Sequence, residues 1–93
     1  MAQWRKTLAR MLADTKPVGF TYDEAAAVLS HLGFELAPSA GGSHRLWRGL
    51  SPEGNPVMVG LVDRGSGAMK PYLVRHMVSQ LRANGLVPAD LDR

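Results

Sequence analysis

No cysteine occurs among the 93 residues. That excludes a disulfide framework, a thiol nucleophile and thiolate metal ligation, and leaves only His, Asp and Glu to hold a metal. It also fits a reducing, cytoplasmic setting. Aromatic residues are scarce at 6%, two each of Trp, Tyr and Phe, so a modest core has to be built mainly from aliphatic side chains. No run approaches the roughly 20 apolar residues that a bilayer span needs, and the basic start, Met1 to Lys6, lacks the apolar stretch of a signal peptide. The expectation is a soluble intracellular domain. Internal repeats and low-complexity tracts are also missing.

Ligand motifs are equally thin. The three histidines, His31, His44 and His76, have no metal-ligand spacing, and no two carboxylates form a matched acid/base pair. Neither a metal nor a small-molecule cofactor is expected. The segment Asp63–Lys70 follows a strand-like run and precedes a helical one, but it lacks the P-loop spacing and a Ser or Thr after its lysine. Negative charge is the minority: eight Asp and Glu face eleven Lys and Arg, for a net charge of +3. This mild basic excess suits an anionic partner without identifying one.

The length sets one small domain, residues 1–93, with an N-terminal helical extension over 1–16 and a core over 21–87. Trp4, Leu8, Met11 and Leu12 make one stripe of a short amphipathic helix, broken by Lys16-Pro17-Val18-Gly19. Thr21-Tyr22-Asp23-Glu24 has the pattern of a capping box. Ala25, Val28, Leu29 and Leu32 continue at helical spacing up to Gly33, a natural left-handed stop. Phe34–Ala37 alternates like a short strand, Pro38–Gly42 is a loop, and Ser43–Arg48 reads as a second strand. Gly49–Pro56 is a hairpin connection, and in Pro56–Val62 the residues Val57, Val59 and Leu61 share a face. Asp63–Gly67 is a further loop. Pro71 opens a last helix whose stripe is Val74, Met77, Val78 and Leu81, ended by Gly85 and Pro88. Helix, helix, three strands and helix predict an α+β domain with a three-stranded antiparallel sheet and helices on one face.

Among the residues able to do chemistry, His31 needs no role beyond favouring a helix C-terminus, and His76 reads as a solvated or RNA-facing side chain. His44 differs in its surroundings. Gly41, Gly42 and Ser43 precede it, so backbone amides lie near, and Arg45 and Arg48 follow. Imidazole exchanges protons close to neutrality, which suits general acid/base work. A structural histidine at a strand edge is the alternative reading.

"LGFELAPSAGGSHRLWR" (32–48) followed by "VMVGLVDRGSGAMKPYLVRHMVSQLRANGL" (57–86) resembles the HicA family of bacterial mRNA-cleaving toxins. Gly33-Phe34, Gly42-Ser43-His44 and Lys70-Pro71-Tyr72 carry the likeness by their order and spacing, over about Thr21 to Val87. Lys70-Pro71-Tyr72 and the extra N-terminal helix are similar to a longer subgroup of that family. The resemblance implies a double-stranded-RNA-binding-domain-like fold, α-β-β-β-α. It also implies ribosome-independent RNA cleavage dependent on the histidine that aligns with His44, and a HicB-type antitoxin as protein partner. Many members have a second histidine where this chain has Arg45, which can hold a phosphate but cannot serve as a general acid at ordinary pH.

The expectation is therefore a metal-independent endoribonuclease acting on mRNA, with His44 as catalytic base. Gly42, Ser43, Arg45, Arg48, Lys70 and Arg75 are the expected substrate contacts. Lys70 is favoured because a helix N-terminus attracts phosphate. The general acid has no candidate. The alternatives are a non-catalytic RNA-binding module of the same fold and a protein-interaction domain whose basic face meets an acidic partner.

Overall fold

A computed structural model describes residues 2–13, 16–38, 42–65 and 67–91. Asp14 at the end of the expected first helix, Ser39, Ala40 and Gly41 of the first loop, and Ser66 of the later one lie outside the described residues. Among the described residues the order is α1 (Gln3–Ala13), α2 (Tyr22–His31), β1 (Glu35–Leu36), β2 (His44–Leu50), β3 (Pro56–Val62) and α3 (Pro71–Ala83). The three strands form one antiparallel sheet in the order β1-β2-β3. None of these helices is long and apolar enough to cross a membrane.

The helix ends follow from local hydrogen bonding. The Thr21 hydroxyl accepts from the Glu24 amide at 3.2 Å while the Glu24 carboxylate accepts from the Thr21 amide at 2.9 Å, the reciprocal pair of a capping box. Gly33 ends α2 at φ +92°. Its amide donates to Ser30 and that of Phe34 to the Leu29 carbonyl, so Phe34 folds back onto the helix it follows. This is why the first strand is shorter than Phe34–Ala37. The second strand differs the other way: it begins at His44 and runs past Arg48 to Leu50, because the connection tightens into a turn in which the Ser51 amide donates to the Asn55 carbonyl at 2.8 Å.

Strand alternation divides the sheet into two faces. Trp47, Val57, Val59 and Leu61 are buried beneath the helices with Val74, Met77, Val78 and Leu81 of α3. Leu46, Leu50 and Met58 point the other way and are exposed. Helix α3 packs on β3, and α1 packs against both α2 and α3. Trp4 of α1 stacks on the His31 ring at 5.4 Å, and Arg5 pairs with Asp90 near the C-terminus. Phe20, in the connection between α1 and α2, is fully buried under the Arg10 guanidinium, which lies 5.0 Å from the ring centre.

One contact constrains β2 tightly. A Cβ at Gly49 would lie 2.8 Å from two carbons of the Phe34 ring. Phe34 is buried and its backbone is held by the α2 terminus, so the ring has little room to retreat. Gly49→Ala is expected to destabilise the fold by about 1–3 kcal/mol through overpacking, read as a lower denaturant midpoint at unchanged slope. An unchanged midpoint would show that the ring repacks freely.

Candidate functional site

The site is organised by three backbone contacts that tie the β3–α3 loop to its neighbours. The Met69 amide donates to the Phe20 carbonyl at 2.8 Å, Thr21 and Ala68 form an isolated antiparallel bridge, and the Asp63 amide donates to the Ser43 carbonyl at 2.7 Å. The start of α2, the start of β2 and the start of α3 are thereby gathered at one end of the sheet. The Trp47 indole N–H, donating to the Tyr22 hydroxyl at 3.3 Å, links the middle strand to the same region.

Gly42 has φ +77°, a left-handed conformation that glycine adopts without a Cβ penalty. It leads the chain through Ser43 into β2, so that His44 is the first strand residue, opposite Val62. The His44 side chain is exposed and has no hydrogen-bond partner among the described residues. It lines a cleft of about 500 Å³ together with Arg45, Val62, Tyr72 and Leu73. A smaller cleft of about 170 Å³ adjoins it, lined by Asp63, Arg64, Lys70 and Tyr72 among others. Val62, Tyr72 and Leu73 belong to both, so the two clefts meet at Tyr72.

Lys70 is the N-cap of α3, with Pro71 in the first turn, no side-chain cap and no acidic residue in that turn. The positive end of α3 is therefore not offset locally by a carboxylate of its own. Asp63, which lines the same cleft, turns its carboxylate onto the Gly65 amide at 3.0 Å.

The expected contacts are not all brought together. Arg45 points to the opposite sheet face from His44, and its guanidinium folds back to donate to the Gly42 carbonyl at 2.6 Å and the His44 carbonyl at 3.1 Å. It braces the loop before the histidine, with further N–H donors left for a ligand. Arg48 shares the His44 face but lies four residues along the strand, about 13 Å away at the usual rise, and is outside both clefts. Arg75 lines a different groove, between α1 and α3, with Met11, Leu12 and Arg82. His44 and Arg45 thus line one cleft and Lys70 the adjoining one, Gly42 and Ser43 lead into the strand without lining either, and Arg48 and Arg75 stand apart from both.

Two other histidines are accounted for differently. His31 holds the Ala27 carbonyl through Nδ1 at 2.8 Å and stacks on Trp4, a structural position. His76 is exposed on α3 and lines neither cleft. Tyr72, which the sequence offers only within Lys70-Pro71-Tyr72, is a further lining residue of both clefts. It is 59% exposed at the junction of the clefts. Its signal was present: it falls off the Val74-Met77-Val78-Leu81 stripe, so an aromatic ring is left outside the core.

Comparison of the chain with protein-family models, with curated proteins and with solved structures finds no match.

Proposed function

We propose that the protein is an endoribonuclease of a toxin–antitoxin pair, with His44 as catalytic base and a HicB-type antitoxin as its inhibitor. One observation carries most of the weight. Gly42-Ser43-His44 and Lys70-Pro71-Tyr72, the two motifs of the family resemblance, are far apart in the chain yet adjoin at one end of the sheet. The run α2-β1-β2-β3-α3 also has the element order of a double-stranded-RNA-binding domain, with α1 as the addition.

In the proposed reaction the neutral His44 imidazole takes the proton of a ribose 2′-hydroxyl. The freed oxygen attacks the adjacent phosphorus, and the bond to the 5′-oxygen breaks. That oxygen takes a proton from water or from the imidazolium that His44 has become. Lys70 and the remaining Arg45 donors offset the charge that develops on the phosphoryl oxygens. Tyr72 offers an exposed ring on which an unpaired base stacks. The products are a 2′,3′-cyclic phosphate and a 5′-hydroxyl.

A second reading is favoured by the His44 environment: without an orienting partner among the described residues, the imidazole suits a backbone contact as well as a base. Purified chain, freed of any partner and given a long RNA and a chelator, separates the two. Fragments ending in cyclic phosphate support the nuclease. Salt-sensitive binding with intact RNA selects the non-catalytic module, and the absence of both binding and cleavage overturns the proposal in favour of a protein-interaction domain.

A further inference from the structure

The two edges of the sheet are unequal. Strand β1 is two residues long, too short to template another chain, whereas β3 runs for seven residues and, among the described residues, pairs only with β2. Long edges in natural proteins are usually blunted by lysine, a bulge or an inward-pointing charge. Pro56-Val-Met-Val-Gly-Leu-Val62 has no charged residue, and proline stands only at its first position.

The register identifies which groups are free. Asp63 donates to Ser43 and Ser51 to Asn55 across the β2–β3 pair. In that register the odd-numbered residues exchange hydrogen bonds with β2, and by antiparallel alternation Met58, Gly60 and Val62 direct both N–H and C=O to the open side. None of these three bonds elsewhere among the described residues. Gly60, at their centre, is exposed and has open space where a Cβ would be.

We infer that β3 is the contact of a two-fold symmetric homodimer, in which two chains join edge to edge as one continuous antiparallel sheet. The edge is complementary to itself. With Gly60 on the axis, Gly60 faces Gly60 of the second copy and Met58 faces Val62 of the second copy, each pair exchanging both N–H···O bonds. The side chains of Met58 and Val62 meet on the helix-free face, where Met58 is otherwise 55% exposed. Glycine at the axis removes any side-chain obstruction at the closest approach. A contact confined to one strand buries less than the roughly 1,200–2,000 Å² of standard stable interfaces, so the dimer is weak and concentration-dependent. This inference does not depend on the nuclease reading.

Sedimentation of the purified full chain from micromolar to millimolar concentration tests it, with cross-linking to fix the register. Gly60→Pro removes the central outward N–H, which makes no bond within the sheet, and proline is tolerated on such an edge. It is expected to weaken dimerisation about tenfold or more, while Leu50→Lys, on β2 away from the edge, leaves it unchanged. The native chain has no cysteine, so a Gly60→Cys variant carries a single thiol. Facing Cα atoms in this kind of pair are about 5.5 Å apart, within the range of about 4.4–6.8 Å that a disulfide spans. Gly60→Cys should therefore form a covalent dimer under mild oxidation, and Leu50→Cys should not. A monomer at every concentration overturns the inference. So does a dimer that resists Gly60→Pro but is lost in Leu50→Lys, which would indicate stacking of sheet faces. Should Gly60→Pro fail to fold by circular dichroism, the cysteine pair decides alone.

Discussion

His44→Ala is expected to lower RNA cleavage by about 10²–10⁴-fold, the contribution of a positioned general base, while leaving the melting temperature nearly unchanged. The two parts rest on separate observations. His44 is exposed, has no hydrogen-bond partner among the described residues and opens β2 rather than filling its interior. Its removal therefore leaves no cavity and no orphaned polar group, and surface changes of this kind usually stay within about 0.5 kcal/mol. The loss of activity follows from the proposed chemistry, since alanine cannot accept the 2′-hydroxyl proton. His44→Gln distinguishes a base from a contact: glutamine retains a hydrogen-bonding side chain but does not take up the proton. Both variants should bind RNA and cut it slowly. Cleavage at the native rate by either one would remove His44 from the mechanism.

Phe20→Ala has the largest expected effect on stability, a loss of about 3–5 kcal/mol for a fully buried aromatic. That is a large share of the roughly 5–15 kcal/mol typical of a whole domain. Phe20 is fully buried within the main core and lies under the Arg10 guanidinium. Truncation removes apolar contact area, leaves a cavity between α1 and the rest of the core, and forfeits the ring–cation contact. The Phe20 carbonyl also accepts the Met69 amide, so the cavity lies beside the segment that leads to Lys70 and Tyr72. Urea unfolding should show a lower midpoint with the slope preserved. Phe20→Leu, which refills much of the space, should recover most of the loss. If the alanine variant matched the native midpoint, Phe20 would not be a core residue.

Much of the architecture was readable because it rests on interactions spanning a few residues. The Thr21–Glu24 box and the Gly33 stop bounded α2, the Val57-Val59-Leu61 alternation bounded β3, and Pro71 with the following apolar stripe marked α3. Where a boundary shifted, a short-range backbone hydrogen bond that side-chain periodicity does not register was responsible: Phe34 left the strand to close the α2 terminus, and the tight Ser51–Asn55 turn let β2 extend to Leu50. The start of β2 at His44, just after the glycine turn, was legible to within one residue.

The element order, the helix ends and the apolar face of β3 follow from local patterns in the chain. Each depends on hydrogen bonds or periodicities within about one or two turns of chain. Tertiary packing alone made Phe20, in a connection with no periodicity, the largest fully buried side chain among the described residues, and brought Tyr72 to the junction of the His44 and Lys70 clefts. It alone separated Arg48 and Arg75 from that site and left β3, rather than β1, as the long free edge. These outcomes depend on how strands and helices distant in the chain pack against one another, and nothing in a local pattern encodes that packing directly.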